Sequence, residues 1–476
     1  MTQSPGMSRP HPAPSVGRPV ALAAMASAGA VAISLAAALS TGGHVSMDSV
    51  QQLFEAHSGR SVSWNPPFMS ALLDLFGVDA QGGAGLATAV FVGVVALALW
   101  SAPVIVVLAR SANRVNLLAL GACVALMLNP VVVIYAGIVW KDVLFGASAA
   151  IAAALGLAAL GVRTPGGRFA LAVLAVAVVG LLPLIRQQGW VVGPVLVLLP
   201  LLAVAWTRGL PYRARGVRCA LVVATALASH AIAAGWSASV ITGGDGKDLS
   251  VGFRAIQSFD LAGMEAFSRE GPLVQAGAPP AALAELQRQY TPERIDFLDR
   301  TPALSAFLAS RKEALGEDWR GAILADPMAY LTHRAEVMRA LLGGHTAGAC
   351  LPVHLGVDGF DHQLAALGME RGVDAIDRQL YQLAKPWFGT PVFKHASYAI
   401  LLALILCAVA VRRRGRSRLA LLILGASVVL FYASFAPTAI ACDFRYLFPA
   451  IPLLTLLAAT FLLGWSEATE SSEVLT

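Results

Sequence analysis

Nine charged or amide side chains stand where long apolar runs of this sequence begin or end. Asp48 and Glu55 follow the first run, Lys141-Asp142 the third, and Arg186-Gln187-Gln188 the fifth, while Asp443 and Arg445 precede the tenth. A carboxylate near a water boundary can take the proton of a hydroxyl nucleophile. Arginine and lysine beside it neutralise a phosphate leaving group, arginine through two parallel hydrogen bonds. The bland alternative for Lys141, Arg186 and Arg445 is interfacial anchoring, with long cationic side chains reaching the headgroups of a bilayer. Position alone leaves both readings open.

The elements that must carry these residues are set by hydropathy. Of the 476 residues, 57% are hydrophobic and 13% charged, with a mean hydropathy of +0.69. Soluble domains carry about a quarter charged residues. Runs long enough to cross about 30 Å of hydrocarbon as helix recur without internal acids or bases. They are Val20–Leu39, Gly85–Leu108, Val115–Tyr135, Val143–Val162, Phe169–Ile185, Trp190–Trp206, Cys219–Val240, Ala396–Val411, Leu419–Phe435 and Tyr446–Leu463. The expected fold is therefore an all-α polytopic membrane protein of about ten transmembrane helices. The first run exceeds a signal-peptide core and lacks a clean small-residue cleavage site, so it reads as a retained helix. Residues 1–19 read as a disordered cytoplasmic tail, 20–241 as helices one to seven with an external loop at 41–84, 395–464 as the last three helices and 465–476 as a second cytoplasmic tail.

Basic residues orient the bundle. One set of alternate connections holds Arg9, Arg18, Arg110, Arg114, Arg163, Arg168, Arg208, Arg213, Arg215, Arg218, Arg412, Arg413, Arg414, Arg416 and Arg418, with no acid before the C-terminal tail. The opposite short connections hold only Arg60, Lys141, Arg186 and Arg445. Both termini are thus expected in the cytoplasm. The formal net charge of +6 reports topology and anionic lipid, not nucleic-acid binding.

Residues 242–394 interrupt the apolar pattern with fifteen bases and nineteen acids, the composition of a soluble domain. A mostly helical extracytoplasmic domain is expected. Asp326-Pro327 reads as an N-cap with proline at the first helical position, Gly343-Gly344 as a stop, and Ala281–Tyr290 and Leu304–Leu315 as further helices. Of the five cysteines, Cys123, Cys219 and Cys407 fall in or at apolar runs. Cys350 and Cys442 face the side where a disulfide persists, and pairing depends on their Cα separation. His230 is the one ionisable group deep in a run; an interhelical hydrogen bond is its ordinary use and a proton relay the sharper one. Pro183, Pro194 and Pro200 mark places where helices around Arg186 could break.

Loop one carries a pattern of its own. After Asp48 comes Ser49-Val50-Gln51-Gln52-Leu53-Phe54, an amphipathic start; Ser63-Trp64-Asn65-Pro66-Pro67 follows, then the amphipathic Phe68–Phe76. Two surface helices behind a first span that ends in an acid resemble the first external loop of GT-C membrane glycosyltransferases, of the protein mannosyltransferase and aminoarabinose transferase type. Ile138-Val139-Trp140-Lys141-Asp142 looks like their connection between the third and fourth helices. Arg186-Gln187-Gln188-Gly189 is similar to an Arg-x-Asn element of bacterial members, with Gln188 in place of Asn. Tyr330-Leu331-Thr332-His333-Arg334 and the run Asp443 to Pro449 look like further bacterial elements.

The resemblance implies a transferase in a bacterial inner membrane that moves a sugar from a polyprenyl-phosphate carrier to an external glycan, lipid or protein acceptor. Asp48 would be the general base. Lys141, Arg186 and Arg445 would hold the departing lipid phosphate, and Asp142, Gln188, Glu55 and Asp443 would orient the acceptor or the arginines. Loop one offers a single acid where an acidic pair is common, and there is no Asp-x-Asp, which argues against a divalent metal cofactor. Three rivals remain at this level. A transporter or flippase needs internal repeats and midplane polar groups. A polymerase or ligase of lipid-linked glycans would lean on Arg334 or His354. A scaffold would need neither.

Overall fold

In a computed structural model, the described residues are 44–463 apart from 64, 79–82, 111–127, 208, 244–249, 270, 347 and 351. Among them every regular element is a helix, and β pairing is confined to four isolated bridges. The expected span Val20–Leu39, both tails, Cys123 and most of Val115–Tyr135 lie outside the described residues.

The first half of the chain forms α1 (Met47–Ser58), α2 (Phe68–Leu75), α3 (Gly85–Arg110), α4 (Pro130–Ala136), α5 (Lys141–Gly161), α6 (Pro165–Ile185), α7 (Gly189–Ala205) and α8 (Tyr212–Val240). The polar segment folds as α9 (Ser250–Phe267), α10 (Pro272–Gln275), α11 (Pro280–Gln289), α12 (Pro302–Ser310), α13 (Leu315–Ala325), α14 (Pro327–Arg339), α15 (Asp361–Ala366) and α16 (Ala375–Ala384). Then come α17 (His395–Arg412), α18 (Gly415–Ser434), a 3-10 turn (Phe444–Leu447) and α19 (Ala450–Leu463).

Seven of these stretches are long and apolar enough to cross a membrane: Gly85–Val107, α5, α6, α8, α17, α18 and Phe444–Leu463. Each coincides with an apolar run of the sequence, so the chain is a multi-pass helical membrane protein. The run at Trp190–Trp206 forms the shorter 17-residue α7. Pro183, Pro194 and Pro200 do not break α6 or α7, which run through them. Neighbouring helices can re-satisfy the groups that proline frees.

Burial sorts the bundle into centre and rim. In α5 and in Phe444–Leu463, 78% of the apolar window is buried inside the protein, against 11% in α8 and 22% in α17. The core of α5 is small: Ala149, Ala150, Ala152, Ala153, Ala154 and Gly156 are all buried. Small residues let helix backbones approach closely where water cannot drive association. His230 on α8 reaches α6 through Nδ1, 3.1 Å from the Gly180 carbonyl, an interhelical hydrogen bond of the ordinary kind.

The polar segment buries Phe259, Leu273, Leu286, Phe297 and Leu304, and these belong to one hydrophobic core continuous with that of the apolar helices. Asp326 caps α14 as expected, accepting from the Ala329 amide at 3.0 Å. The helix stops at Gly343, whose φ of 107° is open to glycine and strained for other residues. The expected helix Leu304–Leu315 is divided instead: α12 ends at Ser310, and a turn precedes α13. A two-pronged ion pair from Arg311 to Asp318, at 2.5 and 2.7 Å, spans that turn and rewards the break. Deeper in, Asp260 of α9 is fully buried and meets Arg334 Nη2 at 2.6 Å, Trp319 Nε1 at 2.8 Å and His333 Nε2 at 3.3 Å.

Candidate functional site

The site begins with the backbone stitching around His44 and Val45. The His44 amide donates to the Gly137 carbonyl at 3.1 Å, and the Val139 amide returns to the His44 carbonyl at 3.0 Å. The Val45 amide donates to Gly356 at 2.9 Å, and the Asp358 amide returns to Val45 at 2.9 Å. One extended pair of residues is thus clamped between the α4–α5 connection and the polar segment. Side chains repeat the clamp: Ser49 Oγ donates to the Val139 carbonyl at 2.6 Å and Trp140 Nε1 to Ser46 Oγ at 2.7 Å. The first turn of α1, with Asp48, is thereby fixed beside the first turn of α5, with Lys141 and Asp142.

A second clamp delivers Arg445. The strand-like segment around Arg294 pairs with Ala441: the Cys442 amide donates to Glu293 and the Ile295 amide to Ile440, both at 2.8 Å. Cys350 and Cys442 form the disulfide that the sequence left open, with Cα atoms 5.8 Å apart. Arg334 Nη1 donates to the Ala439 carbonyl at 2.7 Å. Buried His395 lies 2.9 Å from the Phe444 carbonyl through Nε2 and fixes the 3-10 turn from the membrane side.

The charges converge where these clamps meet. Arg445 Nη2 lies 2.6 Å from Asp48 Oδ2. The Arg445 guanidinium sits 4.9 Å over the Trp140 ring and 5.4 Å from the Tyr446 ring, while Arg186 sits 5.7 Å from Tyr446 and 5.4 Å from Phe435. Tyr446 therefore lies between two guanidiniums. Arg186 pairs with Asp142, and its Nε donates to Gln188 Oε1 at 3.1 Å. The α6–α7 turn that carries Arg186 is tight: a Cβ on Gly189 would stand 2.3 Å from backbone atoms of Leu182 and Pro183. Lys141 Nζ donates to Asn65 Oδ1. Asp443 shares its carboxylate, one oxygen 3.1 Å from Arg294 Nη1 and the other 3.7 Å from Arg445 Nε.

Burial by itself would raise the Asp48 pKa. Arg445 first, then Lys141 and Arg186, outweigh it and hold the carboxyl below the usual carboxylate value. The Asp48 side chain is 44% exposed where Arg445 is 16% exposed, so the pair presents its acid outward and its cation inward. Beside it, burial and the neighbouring His354 push the His44 pKa down to about 4. His44 is accordingly a neutral acceptor, taking the Gly356 amide at 3.1 Å on Nδ1.

Asp48, Lys141, Asp142, Arg186, Gln188, Asp443 and Arg445, singled out one by one in the sequence, share this cluster. Glu55 stands apart from them in its contacts. It is fully buried, and its carboxylate accepts from the Val62 and Ser63 amides at 2.9 and 2.7 Å and from Ser70 Oγ at 2.6 Å. It folds loop one onto itself and so places Asn65 against Lys141. Sequence reasoning missed Asn65, Trp140, Tyr446 and Arg294 as members. Trp140 and Tyr446 stood inside the runs Ile138–Asp142 and Asp443–Pro449 without being given a role of their own. Among the described residues, no three His, Cys, Asp or Glu side chains gather as metal ligands. No family model, curated protein or solved structure matches the chain, so the cluster itself carries the functional reading.

Proposed function

We propose that this chain is a membrane glycosyltransferase of the GT-C type, which moves a sugar from a polyprenyl-phosphate carrier to an acceptor hydroxyl on the extracytoplasmic side. In this reading there are about ten spans, both termini are cytoplasmic, and residues 242–394 form an external helical domain over a bacterial inner membrane. The observation that carries it is the meeting of one outward-facing carboxylate, Asp48, with Arg445, Arg186 and Lys141 at the ends of apolar helices.

Asp48 takes the proton of the acceptor hydroxyl as the hydroxyl oxygen bonds to the anomeric carbon. The bond from that carbon to the phosphate oxygen breaks, and its electron pair leaves with the polyprenyl phosphate. Arg445 and Arg186, with Lys141, stabilise the charge that gathers there. An ion-paired carboxylate is a weak base in the free protein. An anionic donor that draws Arg445 toward its phosphate weakens the 2.6 Å pair and adds negative charge nearby, and both effects raise the proton affinity of Asp48. The base is then strongest when donor is bound.

The test uses purified full-length protein in lipid nanodiscs with radiolabelled undecaprenyl-phosphate hexoses and pentoses and a panel of acceptors, reading release of free undecaprenyl phosphate. Asp48→Asn should abolish release and leave membrane insertion intact, with the unfolding midpoint lowered only slightly by loss of the part-exposed Asp48–Arg445 pair. Equal release by both proteins would overturn the assignment.

A further inference from the structure

Helix α16 and the turn after it carry an apolar stripe that the packing of the described residues leaves largely open. Ile376, Leu380, Leu383 and Trp387 recur at intervals of four, three and four, which places them on one helical face. Three of them are open: Ile376 is 36% exposed, Leu383 71% and Trp387 44%. The helix continues into the 3-10 turn Lys385–Trp387, so the stripe persists past α16. Arg378 and Gln382 occupy the opposite side and are also exposed. A water-facing helix with that stripe would be a liability in a soluble protein.

Both ends of the element lie close to the ends of apolar helices. On the flank next to the stripe, buried Asp377 lies 3.2 Å from His44, whose amide bonds Gly137 at the C-terminal end of α4. At the other end the membrane-crossing α17 starts at His395, eight residues past Trp387. Eight residues reach at most about 28 Å fully extended, and the 3-10 turn Pro391–Phe393 shortens that. The reciprocal capping box of Asp374 and Asp377, at 2.7 and 2.9 Å, starts the helix.

We infer that α16 and its following turn form a membrane-surface helix, with Ile376, Leu380, Leu383 and Trp387 seated among the acyl-chain ends nearest the lipid headgroups. The occupant of this face is the bilayer surface, because the membrane-crossing α17 starts eight residues after Trp387 and the start of α16 lies against His44, beside the end of α4 that leads into the membrane-crossing α5. An amphipathic helix with an indole on its apolar face is suited to lie in that plane. Its buried flank meets His44, two residues before Ser46, which bonds Trp140 under Arg445. Lipid seating is thereby connected mechanically to the Asp48 cluster.

The experiment places the full chain in nanodiscs and takes the difference in tryptophan emission between it and Trp387→Phe, isolating one of nine tryptophans. Lipids brominated near the headgroup end of the acyl chain should quench this difference emission at least twofold, and aqueous iodide should leave it nearly unchanged. The reverse pattern overturns the inference. Protection from both quenchers also overturns it, since protein would then cover the face. A nitroxide on Leu383→Cys, with Cys123, Cys219 and Cys407 replaced by alanine, gives the same answer independently. Faster relaxation by oxygen than by a water-soluble nickel chelate supports lipid seating, and the opposite order sinks it. Neither readout depends on sugar transfer.

Discussion

Asp48 and Arg445, contributed by opposite ends of the chain, meet at 2.6 Å with the acid the more exposed partner. That pairing fixes the ionisation of the acid. With its pKa below the usual carboxylate value of about 4, Asp48 is ionised throughout the neutral range. Because the folded pKa is the depressed one, its contribution to stability is fully present above the unfolded value and is lost as pH falls through the folded value.

Replacing Arg445 with glutamine removes the leading cation that holds Asp48 down. The acid limb of kcat/KM, which reports the ionisation of the free enzyme, should move to higher pH, and the plateau rate should fall at least tenfold as phosphate stabilisation is lost. A limb that stays in place would detach Asp48 from the rate.

Much of the site was legible because a residue's position at the end of an apolar run is a one-dimensional property. Lys141, Asp142, Arg186, Gln188, Asp443 and Arg445 were found that way, and the bundle then gathers the run ends into one layer. What sequence could not give is who touches whom. Glu55 has the chemistry of a site acid, yet it spends both carboxylate oxygens on loop one. Arg334 sits in a motif that looked external and functional, yet it is sunk against Asp260 and the Ala439 carbonyl. Arg294 carried no signal at all, since only the pairing of its segment with Ala441 brings it to Asp443. The break after Ser310 depended in the same way on a contact, the Arg311–Asp318 pair.

The Asp260 network is a prediction about stability, not turnover. Asp260→Ala would leave the buried Arg334 guanidinium without its anion and Trp319 Nε1 without its acceptor. Removing one partner of a buried ion pair costs about 3–5 kcal/mol. The thermal midpoint of unfolding in detergent should drop by several degrees. Undiminished stability would mean that water or another group replaces the carboxylate.

The disulfide should matter to both stability and the site. Cys350 and Cys442 are 92 residues apart in sequence, and the chain-entropy cost of losing a bridge across a loop of that length is about 4–5 kcal/mol. Cys442 is also the residue before Asp443. Cys350→Ser, or mild reduction, should therefore weaken donor binding as well as lower the unfolding midpoint. Measuring the KM for lipid-linked sugar beside a non-reducing gel separates the two, because a stability effect alone leaves KM unchanged at low temperature.

Arg294 is predicted to act on Asp48 at one remove. It holds one oxygen of Asp443 at 3.1 Å, and Arg445 approaches the other at 3.7 Å, so two arginines share one acid. In Arg294→Gln, Asp443 keeps its full charge for Arg445 and competes with Asp48 for the guanidinium. Asp48 then loses part of the field that keeps it ionised. The acid limb of kcat/KM should rise in pH, by less than in Arg445→Gln, while the protein folds normally because Arg294 is only half-buried. Arg294→Lys retains the charge and should restore most of the limb. If Arg294→Gln lowers the rate without moving the limb, Arg294 holds the loop in place and does not tune the acid.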